Sequence, residues 1–238
     1  MKYFVISDIH GYYKEMRTAL RKAGYRKSNP EHKLIVLGDI FDRGPDCVKV
    51  YKFLRSIPKD RRVLIRGNHE FFLKLVTERG YVTSADIHNG TAETINQFIK
   101  NFYPNLTFNS LVTPFLNTGI AQWIFSDEWV NYWELNNLIF VHSWIPYEGV
   151  YCREDWKDAS MLAWFKATLA LPYEMIQICP APDDTVIVCG HCKASDLRTV
   201  LDGEPPDNNN NTTYIGDKVI GLDSCVYESG FCNVLVLE

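Results

Sequence analysis

Eight polar residues spread along the chain have the types that metal-assisted hydrolysis needs: Asp8, His10, Asp39, Asn68, His142 and His191, with Asp42 and His69 beside them. The first six offer two carboxylates, one amide oxygen and three imidazoles. Such a mixed set suits Mn²⁺, Fe²⁺ or Zn²⁺ better than Ca²⁺, which favours oxygen alone. It is also too large for one tetrahedral site. Two ions about 3.5–4 Å apart, sharing a carboxylate, would use all six. Taken singly, each residue has a plainer reading: Asp8 as a turn or cap residue, His142 and His191 as structural histidines, Arg66 as a solvated charge, and Arg43-Gly44-Pro45 as a turn into a helix. Only convergence makes them a site.

Convergence needs elements that end in the right places. Short β-rich runs do so: 3–6 leads into Ser7-Asp8-Ile9-His10-Gly11, 34–37 into Gly38-Asp39, and 63–65 into Arg66-Gly67-Asn68-His69-Glu70. Between them, Met16, Ala19, Leu20 and Ala23, then Val48, Tyr51, Phe53 and Leu54, have helical spacing. Alternating strands and helices predict an α/β sheet with helices on its faces, and such sheets bind ligands outside the carboxyl ends of their strands. From 71 to 137 the chain turns aromatic and helix-like, which predicts a helical cap inserted into a single domain spanning 1–238. Helices are expected over 91–102 and 120–133, with Pro104 and Pro114 as breakers. The aromatic stretch Trp123, Phe125, Trp129, Tyr132 and Trp133 is read as core. The β pattern resumes over 138–141, ending at His142, and over 185–189, ending at Gly190-His191. Runs 218–222 and 233–237 are expected to close a second sheet, and the polar stretch 205–213 to form a mobile surface loop.

Composition narrows the function. The 238 residues carry 25 Lys+Arg against 29 Asp+Glu, a net charge of −4, without the basic excess of a protein that coats nucleic acid or anionic membrane. The apolar run before Asp8 is too short for a signal peptide or a membrane span, so a cytoplasmic protein is expected. Seven scattered cysteines, an odd number, argue for reduced thiols. Cys189-Gly190-His191-Cys192 is discounted as a redox or zinc motif, because no second pair stands at zinc spacing. His32 is assigned no role, and His88 is left between facing the site and packing in the cap.

Asp8-Ile9-His10, Gly38-Asp39-Ile40-Phe41-Asp42-Arg43-Gly44 and Arg66-Gly67-Asn68-His69-Glu70, followed by His142 and Gly190-His191, resemble the calcineurin-like metallophosphoesterases. Within them they are similar to the phosphoprotein phosphatases, particularly small bacterial and phage members. Gly221-Leu222-Asp223-Ser224 and His88-Asn89-Gly90-Thr91 with Thr94 extend the likeness, which otherwise hardly reaches the cap. The resemblance implies a four-layer α/β/β/α sandwich. It also implies that Asp8 and His10 bind one metal, Asp39 bridges two, and Asn68, His142 and His191 complete the second. Mn²⁺ is the first expectation for both ions, with Fe or Zn as alternatives. Attack would come from a shared hydroxide, with His69 as the acid, Asp42 orienting it, and Arg43 and Arg66 gripping phosphate oxygens. The phage-type enzymes carry a further arginine two residues after a tryptophan; here Trp164-Phe165-Lys166 places a lysine there, with Arg153 as the other candidate.

The first expectation is therefore a phosphatase acting on phosphoserine or phosphothreonine in proteins. The runner-up is a symmetrical dinucleoside tetraphosphate hydrolase, although similar hydrolases typically carry aspartate where Glu70 stands and alanine where Asp42 stands. A phosphodiesterase or nuclease ranks lower on charge, and a non-catalytic scaffold has no need of His69. The partners expected are phosphoproteins or small phosphoesters, with neither membrane nor nucleic acid; the oligomeric state is left open.

Overall fold

The computed structural model describes residues 1–102, 112–149, 151–206 and 209–238. Its strands are β1 (Lys2–Ile6), β2 (His32–Val36), β3 (Arg62–Ile65), β4 (Trp129–Val130), β5 (Trp133–Leu135), β6 (Leu138–Phe140), β7 (Tyr147–Glu148), β8 (Tyr151–Cys152), β9 (Val186–Lys193), β10 (Tyr214–Ile215), β11 (Val219–Asp223) and β12 (Leu235–Leu237). Its helices are α1 (Tyr13–Lys22), α2 (Cys47–Arg55), α3 (Asn68–Arg79), α4 (Ser84–Asn89), α5 (Thr91–Phe102), α6 (Val112–Leu116), α7 (Gly119–Ile124), α8 (Met161–Thr168), α9 (Pro172–Ile178), α10 (Ala194–Leu201) and α11 (Val226–Ser229).

Two mixed sheets result. The first runs β12-β1-β2-β3-β4 and the second β10-β11-β9-β6-β5, while β7 and β8 form a small hairpin. The period of two along each strand sorts the side chains into layers. Val5, Ile35, Leu37 and Ile65 of the first sheet meet Phe140, Val188 and Leu222 of the second. The alternate residues Phe4, Ile6, Leu34, Val36 and Leu64 face outward and are covered by Met16, Leu20, Val50, Leu54, Leu73 and Phe98. Across the molecule, Ile139, Val141 and Ile187 pack under Trp164, Met175 and Leu197. Helices therefore cover both outer faces, and the order α/β/β/α follows.

Local chemistry explains several boundaries. The α4 helix starts at Thr83, whose hydroxyl accepts from the Asp86 N–H while the Asp86 carboxylate accepts from the Thr83 N–H, a reciprocal cap. In α8 the Ser160 hydroxyl does the same for Ala163, and Pro172 opens α9 in the first turn, where no intrahelical donor is needed.

Four expectations need correction. The run 233–237 does not close the second sheet: β12 lies antiparallel to β1 at the edge of the first, with Tyr3 opposite Leu237, while β11 takes an interior place in the second. The helix expected over 120–133 stops at Ile124, because Trp129 and Val130 join β3 beside Leu64 and Ile65. The near-helical spacing was that of a core: Trp123 packs on Trp129 and Trp133 on Phe140, from separate elements. Pro114 lies inside α6, within its first turn, where proline is tolerated. The thiols are not all reduced: Cys152 of β8 and Cys179 after α9 are joined, with Cα atoms 5.2 Å apart, because the fold brings the two ends of this segment together. The other five cysteines are free and buried. Pro104 and residues 207–208 of the polar loop lie outside the described residues; elsewhere in that loop, Arg198 donates to the carbonyls of Asn210, Thr212 and Thr213.

Candidate metal centre

The chemistry-bearing residues stand where the parallel strands end. Asp8 and His10 follow β1, Asp39 follows β2, Asn68 and His69 open α3 just after β3, His142 follows β6, and His191 lies near the end of β9. Backbone bonds stitch these corners together: His10 N–H donates to Asp39 O at 2.9 Å, and Gly190 N–H to His142 O at 2.8 Å. Close approach also demands glycine at two points. A Cβ at Gly190 would fall on Ser7 Oγ and Asp8 Oδ2, and one at Gly67 would fall on Asp39 Oδ1.

Asp39 is the centre of the geometry. Its Oδ2 lies 3.7 Å from His10 Nε2 and 3.8 Å from His69 Nε2, while its Oδ1 lies 3.5 Å from His142 Nε2. Two trios, His10/Asp39/His69 and Asp39/His142/His191, are spaced so that each could hold a metal ion, and they share Asp39. Asn68 Oδ1 lies between the second pair of imidazoles, 2.9 Å from His142 Nε2 and 3.1 Å from His191 Nδ1. Asp8 joins neither trio. Its carboxylate accepts from Ser7 Oγ, and from the His191 N–H at 3.1 Å.

The donor set fits cations. His10 Nδ1–H donates to Phe41 O at 2.9 Å and His142 Nδ1–H to Leu37 O at 2.7 Å, which leaves both Nε2 lone pairs facing inward. Burial holds His142 and His191 down at about 4, and His10 well below its usual value, so these rings are held neutral, as metal ligands must be. The His142 lone pair thus faces two further acceptors, Asn68 Oδ1 and Asp39 Oδ1, a crowding that a positive centre would reconcile. The carboxylates say the same. Asp8, Asp39, Glu70 and Asp223 are buried, and among the described residues none pairs with a lysine or arginine. Burial first, then neighbouring carboxylates, push Asp8 well up, Glu70 to about 7 and Asp223 to about 6.

A second arrangement lies alongside. His69 Nδ1–H donates to Asp42 Oδ2 at 2.7 Å, and Asp42, fully buried, also accepts from Thr91 Oγ1 at 2.7 Å and Thr94 Oγ1 at 2.6 Å. Burial alone would lower His69, but Asp39 and Asp42 outweigh it and hold the ring above its usual value. Arg43 reaches inward from the rim, with Nη1 2.9 Å from His10 Nε2 and Nη2 3.3 Å from His69 Nε2.

The other candidates sit elsewhere. Arg66 donates to Ser126 O at 2.9 Å and to Asn131 Oδ1 at 3.4 Å. Lys166 is exposed on α8, and Arg153 pairs with Asp155 at 2.7 Å. His88 is exposed on α4, and His32 accepts from the Arg26 N–H. Sequence reasoning gave no role to Glu70, Thr91, Thr94 or Asp223. Glu70 accepts from the N–H groups of Gly67, Asp39 and Ile40 at 2.8, 2.9 and 3.1 Å, tying two corners into one body. Its place three residues after Gly67, at the third position of α3, was a capping signal in plain view. Thr91 and Thr94 share one helix face, and Asp223 ends an apolar strand as Asp8 and Asp39 do.

A family model described as calcineurin-like phosphoesterase matches residues 1–221. The chain belongs to that family. A curated member, the symmetrical bis(5'-nucleosyl)-tetraphosphatase of Buchnera aphidicola subsp. Acyrthosiphon pisum (strain 5A), is 42% identical over 73 residues, covering 31% of this phosphoesterase and 26% of that protein. The chain thus spans about a quarter of the length of such curated relatives. Among solved structures, the cold-active protein-tyrosine phosphatase of a psychrophilic Shewanella sp. matches with a TM-score of 0.59 at 19% identity, over 100% of this chain and 75% of that one. A protein serine/threonine phosphatase from Saccharomyces cerevisiae matches at 0.55 with 16% identity, over 94% and 67%. At these identities the likeness shows the fold. The family brings divalent metals with it, in keeping with the donor set. No helix among the described residues is long and apolar enough to cross a membrane.

Proposed function

We propose that this phosphoesterase uses two divalent ions, Mn²⁺ first among them, to hydrolyse phosphoserine and phosphothreonine in proteins. The observation that carries the metal reading is Asp39, whose two oxygens face separate imidazole groups. In this reading Asp8, His10 and Asp39 hold one ion, and Asp39, Asn68, His142 and His191 hold the other. When bound, the ions supply an activated water for in-line attack and withdraw charge from the phosphoryl oxygens. The remaining work falls to the chain. Arg43 offers its planar fork to the phosphate, and His69, steered by Asp42, delivers a proton to the leaving alkoxide. Arg66 and Lys166 are secondary contacts that a substrate would have to draw in. The whole chain, 1–238, acts as one domain, with the helices between β3 and β4 as its cap.

The substrate choice rests on Asp42 and Glu70. Both carboxylates are fully engaged, Asp42 on His69 and Glu70 on three backbone donors, and these are the two positions at which the tetraphosphate hydrolases typically carry alanine and aspartate instead. The Buchnera tetraphosphatase favours a second reading, symmetrical cleavage of dinucleoside tetraphosphates. Rates on a phosphothreonine peptide and on diadenosine tetraphosphate separate the two, and a strong preference for the dinucleotide would overturn the first. Under either reading a chelator should abolish turnover and added Mn²⁺ should restore it.

A further inference from the structure

A groove of about 580 Å³ lies between α1 and α2, apart from the candidate metal centre. Six cations line it: Arg17, Arg21, Arg26, Lys27, Lys49 and Lys52; no carboxylate does. Among the described residues only Lys49 has an ion-pair partner, Asp46 at 2.7 Å. Lys27 donates to Ser56 Oγ at 3.0 Å, and Arg17 lies over the Phe53 ring, 4.3 Å from its centroid. In a chain of net charge −4 this concentration of like charge is a local exception. It repels itself, and a multivalent anion would relieve it.

We propose that this groove is a second anion site, which takes a linear polyphosphate chain. Cations outnumber usable rings in the lining: Tyr25 and Phe53 are only 8% and 7% exposed, and Tyr13 is half-buried, which favours charge over stacking as the means of recognition. The volume suits a small ligand, since small-molecule pockets run about 300–1,000 Å³. The guanidinium groups of Arg17, Arg21 and Arg26 can each offer paired N–H donors to a phosphate, and the lysines add mobile charge. None of the residues of the candidate metal centre lines the groove, so the inference stands whichever substrate the centre cleaves.

The test is a calorimetric titration of the Mn²⁺-loaded protein, with metal in excess, using a methylene-bridged, non-hydrolysable tripolyphosphate analogue and its adenosine-capped counterpart. Wild type should bind two equivalents, one at the metal centre and one in the groove. Arg21→Glu/Lys52→Glu alters two exposed side chains and should weaken the groove equivalent at least tenfold. Hydrolysis of p-nitrophenyl phosphate should stay within twofold of wild type. The milder Arg21→Gln/Lys52→Gln should give a smaller loss in the same direction with an unchanged melting temperature. Arg43→Ala should spare the groove equivalent. Equal affinity for the two analogues supports an inorganic chain as the source, and tighter binding of the capped one a nucleotide. A single equivalent in wild type, untouched by charge reversal and lost in Arg43→Ala, would overturn the proposal.

Discussion

Replacing Asp42 by asparagine would test the acid at His69 while keeping the shape of the site. The side chain is buried, and its amide can still offer one oxygen to His69 Nδ1–H and Thr91 while its NH₂ turns to the Thr94 hydroxyl. What is lost is the charge. Asp42 addresses Nδ1, whereas Asp39 faces Nε2 at 3.8 Å, so the hold of Asp42 on the ring is independent of what Asp39 binds. Exchanging a buried hydrogen bond to a charged group, about 1.5–3 kcal/mol, for a neutral one, about 0.5–1.5 kcal/mol, forfeits about 1–1.5 kcal/mol. At about 1.4 kcal/mol per pKa unit, that difference lowers His69 by about one unit. His69 stands above its usual value, and in the proposed mechanism its protonated form is the donor. Turnover of a substrate with a poor leaving group is therefore present below that pKa and lost as pH rises through it. In Asp42→Asn the descending limb should begin about one pH unit lower, which on that limb means a rate roughly 10-fold below wild type. The assay is a kcat–pH profile on a phosphothreonine peptide beside p-nitrophenyl phosphate, whose leaving group needs no proton and whose rate should change little. Equal losses on both substrates, or an unmoved limb, would refute the acid role.

Glu128 is held at about 2 because Lys59, Arg62 and Trp123 outweigh its burial. Its contribution is complete above about pH 4.5 and disappears as pH falls toward 2. With Lys59 and Arg55 largely in solvent, screening reduces it, and Glu128→Gln should cost about 1–2 kcal/mol at neutral pH in urea unfolding, with the two proteins converging in acid. Gly190→Ala should displace Asp8 and Ser7, lowering stability by about 1–3 kcal/mol and metal content with it; an unchanged metal content by atomic emission would contradict the packing argument. Reducing Cys152–Cys179, which lie 27 residues apart, should cost about 3 kcal/mol and lower the melting temperature; a reduced protein that melts with the oxidised one would show that the crosslink adds nothing.

The strand-end corners were legible because each pairs an apolar run with a polar turn of distinctive chemistry, and that pattern survives without any knowledge of tertiary contacts. The edge strands were not. Residues 235–237 are an unremarkable apolar run, and whether they lie beside β1 or β11 depends on where the preceding turn leaves the chain. The helix expected over 120–133 failed for a related reason. Trp123 and Trp129 lie six residues apart and meet because α7 and β4 fold back on the same core, a contact with no helical period behind it. Cys152 and Cys179 carry no local signal either, since only the packing of the segment between them brings them within bonding range.

What no sequence pattern displays is the strain. Nine non-glycine residues among those described have positive φ, and six of them, Asp8, His10, Asp39, Asp42, Arg43 and His191, belong to the candidate centre. Each left-handed residue costs roughly 1–2 kcal/mol, so the site gathers most of the unfavourable non-glycine backbone among the described residues. Three devices hold it there. Glu70 clamps the Asp39 and Gly67 corners through three donors, His10 and Gly190 bond across neighbouring corners, and glycines at 67 and 190 clear the space for carboxylate oxygens. Two of these devices lie on the backbone or in an absent side chain, whereas sequence reasoning looks for chemistry in the side chains that are present; the third, Glu70, reads in sequence only as a helix cap. The ligand atoms can converge only if the chain turns sharply after each strand, and sharp turns at non-glycine residues are strained. Strain and convergence are thus one feature of this fold, and the buried carboxylates at its centre give that strained corner its demand for positive charge.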